Sequence, residues 1–134
     1  MTTFEKEYFR RFQFTPEQIR RYFKNALRDL EIARKDSIPE VKFSYSYQAL
    51  IKAGIALLQE AGQVRVRSMP GHHVKILEKM SEVLRDEDVL TIGNAMRMKR
   101  NDDFYGGGIL ITEKEAGDYL KFVEKVFEKI RKRL

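Results

Sequence analysis

The run Thr112-Glu113-Lys114-Glu115, with an apolar residue at every third or fourth position after it, restricts the fold of this chain more than any other feature. A threonine cap and a glutamate three positions later each satisfy a backbone amide of the other, which fixes a helix start. Ala116, Tyr119, Leu120, Val123, Val126, Phe127, Ile130 and Leu134 then make one continuous apolar stripe. The same signals recur upstream. Thr15-Pro16-Glu17-Gln18 supplies an N-cap and a proline suited to the first helical position. Ile19, Tyr22, Phe23, Ala26, Leu27, Leu30 and Ala33 keep helical spacing to about Asp36, where Ser37-Ile38-Pro39 breaks it. A second helix is predicted from Pro39 to Ala61, with Gly62 as its C′ residue. Gly54 lies on the apolar face of that helix beside Ala49, Ala53 and Ala56, which predicts close approach by neighbouring helices. Further helices are predicted over His72–Leu84 and Glu87–Phe104, the latter ended by Gly106-Gly107-Gly108. Ile109-Leu110-Ile111 would bridge to the last helix in an extended form.

The expected architecture is all-α: an antiparallel bundle of about five helices in a single domain, residues 1–134. Two segments are less determined. Residues 1–14 carry Phe4, Tyr8, Phe9, Phe12 and Phe14, too much aromatic surface to leave in water. They form either a short docking helix or an arm that packs on a second subunit. Val64-Arg65-Val66-Arg67 alternates and then turns at Pro70-Gly71, for which a loop is a simpler reading than a two-stranded excursion.

The chain has no cysteine, which excludes disulfides and thiolate chemistry. Its apolar runs, such as Ile55-Ala56-Leu57-Leu58, fall far short of the roughly 20 residues a membrane span needs. With no signal-peptide pattern at the start, a cytoplasmic location is expected. The net charge of +6 permits an anionic partner, although Lys129, Arg131, Lys132 and Arg133 serve a helix C-terminus equally well.

Two segments carry candidate chemistry. Arg97, Lys99, Arg100 and Asn101 arrive just before a helix end, with Asp102 and Asp103 directly behind. Carboxylates are unfavourable at a helix C-terminus, so a dipole-driven pattern would not place them there. An arginine can grip phosphate bidentately and a neighbouring asparagine can orient it; a hydrogen-bonded network that only knits the bundle is the alternative. The second segment brings Arg67, His72 and His73 to a helix start, where anions are favoured. Either histidine has the pKa for acid–base work; His73, in register with Ile76, Leu77 and Met80, also reads as a part-buried core residue, and His72 as a turn cap. Adjacent histidines diverge by about 100° around a helix and no third ligand stands at helical spacing, so no metal is expected, and no cofactor. Tyr45 and Tyr47 read as core aromatics or as base-stacking platforms.

The order of these features resembles the HEPN domains, named for higher eukaryote and prokaryote nucleotide-binding proteins. The resemblance covers about residues 15–134 and rests on Tyr47-Gln48-Ala49-Leu50, Gly71-His72-His73-Val74, Arg100-Asn101 with Tyr105-Gly106-Gly107, and the helix after Ile111-Thr112-Glu113. It implies an RNA- or nucleotide-phosphate-binding protein, with metal-independent endoribonuclease activity of a toxin–antitoxin type, acting as a homodimer. Arg100 would hold the scissile phosphate, Asn101 would position it, and the 2′-hydroxyl would attack. Arg97, Arg67, Lys99 and His73 would add phosphate or RNA contacts. The family's motif carries a histidine four to six residues after the arginine; here Tyr105 stands in that place and no histidine follows. Tyrosine, with a pKa near 10, is a poor base at neutral pH. Arg67 and His72 have the motif's spacing but precede a helix, so a composite site with Arg100 is one expectation. The other is a non-catalytic subunit that docks on a nucleotidyltransferase partner.

Overall fold

The computed structural model describes residues 2–108 and 110–134, with the side chains of residues 103–105 outside the description. The elements in chain order are β1 (Phe9–Arg11), α1 (Pro16–Lys35), α2 (Pro39–Gly62), β2 (Val64–Val66), α3 (His72–Leu84), α4 (Glu87–Tyr105) and α5 (Glu113–Arg131). The mostly helical bundle expected from the periodicity is what forms; the capping box predicted at Thr112 is present, and the N-cap predicted at Thr15 is part of a second one. Thr15 accepts from the Gln18 amide and Thr112 from the Glu115 amide, each with the reciprocal bond made.

Helix α2 is the hub, with α1, α3 and α5 all packed against it and α4 laid mainly along α3. Its Tyr47, Leu50, Leu57 and Leu58 are essentially inaccessible to solvent, as are Phe127 and Ile130 of α5. Gly54 does what the small-residue face predicts. A Cβ at that position would stand 2.3 Å from Met80 Sδ and 3.0 Å from Ile76 Cγ2, so α3 can seat against α2 only where no side chain intervenes. Gly93 of α4 plays the same part, against Leu77 of α3.

The structure corrects four expectations. Gly62 is the last residue of α2 and not its left-handed cap, a conformation taken by Gln63 at φ 50°. The glycine is needed for space, because a Cβ there would lie 2.5 Å from the Phe4 ring. Residues 2–14 form no docking helix. Phe9–Arg11 forms a strand that pairs antiparallel with Val64–Val66, Phe9 opposite Val66 and Arg11 opposite Val64. The segment read as a loop is therefore the second strand of a small sheet, because the Val64/Val66 alternation finds its partner on the same chain. The aromatic residues pack inward: Phe9 and Phe14 are buried, and Phe4 meets Phe9 edge-on at 5.2 Å. Leu134, placed on the stripe of α5, lies beyond the helix and is exposed. Ile109, part of the expected extended bridge, lies outside the described residues.

Candidate functional site

Two helix ends bring the two candidate segments together. α3 starts at Gly71, whose φ of 81° places it in the left-handed region that glycine tolerates. The turn before it is closed by the His72 amide donating to the Met69 carbonyl at 3.0 Å. Arg97, Arg100 and Asn101 project from the last turns of α4, the helix that packs on α3. Between them lies a cleft of about 480 Å3, lined by His72, His73, Arg97, Arg100, Asn101 and the Ser68–Gly71 turn. No carboxylate is among its described lining residues.

Each ring nitrogen in the cleft has an identifiable role. His72 Nδ1 lies 2.7 Å from the Met69 carbonyl oxygen. A carbonyl only accepts, so this nitrogen carries a proton, and in the neutral ring Nε2 is then the acceptor. His73 Nδ1 lies 2.9 Å from the Tyr47 hydroxyl. Tyr47 is buried, and burial pushes its phenol up to about 12, with Arg100 and Arg97 pulling in the opposite direction. The phenol is thus protonated at any physiological pH. Burial also pushes the His73 imidazole down to about 4, helped by its neighbours His72, Arg100 and Arg97. His73 is accordingly neutral at pH 7.

Tyr47, read from the sequence as a core aromatic or a base-stacking platform, has a part in the cleft that neither reading gave it. Its ring lies under the Arg100 guanidinium, 5.6 Å from centroid to Cζ, while its hydroxyl fixes His73. One side chain of α2 therefore touches members of both candidate segments. A buried tyrosine hydroxyl needs a polar partner, and that is the signal that would have found it. Asn94 is a second omission; its Oδ1 accepts from Arg97 Nε at 2.9 Å.

Two other expected residues stand elsewhere. Arg67 does not join the composite site, because its Nη1 donates to the Lys6 and Glu7 carbonyls at 3.1 and 3.2 Å. Lys99 faces α5, where its ammonium lies 3.4 Å from Glu115 Oε2. The side chain of Tyr105 lies outside the described residues, as does that of Asp103. No group of three or more metal-ligating side chains occurs among the described residues, and no helix there is long and apolar enough to cross a membrane.

The depressed His73 pKa makes stability pH-dependent. The unfolded histidine takes up a proton near pH 6.5 and the folded one only near 4, so this contribution is complete above 6.5 and is lost as pH falls toward 4. The whole shift corresponds to roughly 3 kcal/mol, and about 1–2 kcal/mol is expected for a ring that is only part-buried. Urea midpoints measured from pH 7 to pH 4 should fall, and His73→Gln should flatten that slope. A variant that keeps the wild-type slope would place its source elsewhere.

Compared with protein-family models, curated proteins and solved structures, the chain has no match. What defines it is its architecture: a mostly α-helical bundle with a two-stranded sheet and a cleft, rich in arginine and histidine, between α3 and α4.

Proposed function

We propose that the cleft binds the phosphate of RNA or of a nucleotide, in a domain of the HEPN type that the sequence resembles. The observation that supports this most strongly is the convergence of Arg97, Arg100, Asn101, His72 and His73 on one cleft. Such a set offers fixed guanidinium donors, an amide that both donates and accepts, and imidazole nitrogens at the start of a helix. Tyr47 holds the arrangement from below through Arg100 and His73.

Cleavage in this cleft would be metal-independent in-line transfer. The ribose 2′-oxygen bonds to phosphorus, the bond to the 5′-oxygen of the next nucleotide breaks, and a 2′,3′-cyclic phosphate remains. The 2′-hydroxyl proton passes to His72 Nε2, the available acceptor, and the leaving oxygen takes a proton from water. His73, neutral and tied to Tyr47, orients and does not shuttle protons.

The test uses purified protein in EDTA with several labelled RNA oligonucleotides, read by anisotropy for binding and by gel for cleavage. Arg100→Ala should weaken binding about 10- to 100-fold, the scale of lost hydrogen bonds to a charged group. Circular dichroism should show the variant folded, so that the loss is one of binding and not of the bundle. His72→Ala should keep binding and lose cleavage. Wild-type protein that binds none of the RNAs and no nucleotide would overturn the reading and leave the non-catalytic docking subunit as the better description.

A further inference from the structure

We propose that the protein holds a single strand of RNA across two basic clefts, the second of them built by the N-terminal strand; this rests on the phosphate-binding reading of the first. The second cleft, of about 620 Å3, is lined by the cations Lys6, Arg10, Arg11 and Arg67 around the rings of Phe4 and Phe9, with no carboxylate among its described lining residues. Lys6, Arg10 and Arg11 are exposed, whereas Arg67 is anchored on the Lys6 and Glu7 carbonyls. Cationic side chains along a groove are what single strands use to hold their phosphates, and the half-buried Phe4, not the buried Phe9, is the ring within reach of a base.

The two clefts are lined by neighbouring residues of one segment, Arg67 in the second and Ser68 in the first. A mononucleotide occupies one cleft; a chain of phosphates has use for both.

A separate observation points the same way. In the sheet Arg10 stands directly opposite Arg65, a cross-strand pairing of like charges that costs stability. Arg65 turns its guanidinium over Phe12, 4.4 Å from the ring centroid, and Arg10 remains on the cleft. A strand built for pairing alone would place a carboxylate there. A local rule broken without a compensating partner is what a binding surface leaves in a fold, and a phosphate beside Arg10 supplies the missing charge.

The experiment compares a 5′-mononucleotide, a dinucleotide and a ten-nucleotide single strand on wild type, Arg100→Ala and the double variant Arg10→Ala/Arg11→Ala, with circular dichroism to verify folding. The ten-mer should bind wild type at least tenfold more tightly than the dinucleotide. The double variant should lose about tenfold on the ten-mer while the mononucleotide holds its affinity. Its slope of log K against log salt should also shrink by about 1.4, two phosphate contacts at roughly 0.7 each on a single strand. Arg100→Ala should weaken all three ligands. A ten-mer no tighter than the dinucleotide, with Arg100→Ala still damaging, would overturn the second cleft and spare the first. A double variant that affects every ligand equally would do the same. Absence of binding by wild type to any of the three would overturn both.

Discussion

Deleting residues 2–11 should cost on the order of 5 kcal/mol of stability. Phe9 is 3% exposed, and truncating a buried phenylalanine typically costs about 3–5 kcal/mol by itself. The deletion also removes Glu5, whose Oε1 lies 2.7 Å from the ammonium of Lys79, a lysine only 2% exposed. Glu78 and Glu82 stay near that ammonium at 3.5 Å, so the charge is weakened in its pairing and not orphaned. Domains of this size have about 5–15 kcal/mol in total, so the loss should appear as a large drop in urea midpoint. Binding should fall as well, because Arg67 loses its anchors on Lys6 and Glu7 and its amide loses the Tyr8 carbonyl, next to the Ser68–Gly71 wall of the cleft. A change below about 1 kcal/mol would mean that the aromatic segment does not pack on its own chain. Sedimentation of the same deletion would separate this from a role in dimer formation, since an unchanged oligomer with a lowered midpoint assigns the effect to the fold.

The second large effect is expected at Gly54. Leucine there would drive a side chain into Met80 and Ile76, both fully buried, and overpacking of that kind costs on the order of 3 kcal/mol. Met80→Ala alone should cost about 2–5 kcal/mol through the cavity it leaves. The double variant should be more stable than the sum of the two losses predicts, because the leucine fills what the methionine vacates. A coupling of about 0.5–3 kcal/mol is the usual range for residues in contact. Strict additivity would mean that the α2–α3 contact is made elsewhere.

How much of this was legible in the sequence follows from distance along the chain. The helices announced themselves through periodicity and caps, which are local. Thr15 with Gln18 and Thr112 with Glu115 are pairs within one turn. The sheet was not legible, because each strand has three residues and Phe9-Arg10-Arg11 shows no alternation of its own. The site was legible in halves. Arg100-Asn101 and His72-His73 each stood out by residue type, but their meeting depends on how α3 and α4 pack, which Gly93 permits by admitting Leu77. The removal of Arg67 from that site was invisible, since its partners are backbone carbonyls 61 and 60 residues away. Tyr47 was hidden for the opposite reason. Its position on the apolar face of α2 explained it too easily, and the hydroxyl was left unaccounted for.

The pairing of β1 with β2 also sets an order of events during folding. The α1–α2 pair forms between neighbours in sequence, whereas Phe9 must wait for Val66 and Arg67 before it has anything to pair with. Closing so long a loop costs entropy that only the completed contacts return, so non-local pairings come late. In synthesis from the amino terminus, the first strand emerges early and stays unpaired until α1 and α2 have been made. A growing chain therefore carries its first two helices before it carries either cleft, and the cleft between α3 and α4 is completed only once α4 has been made.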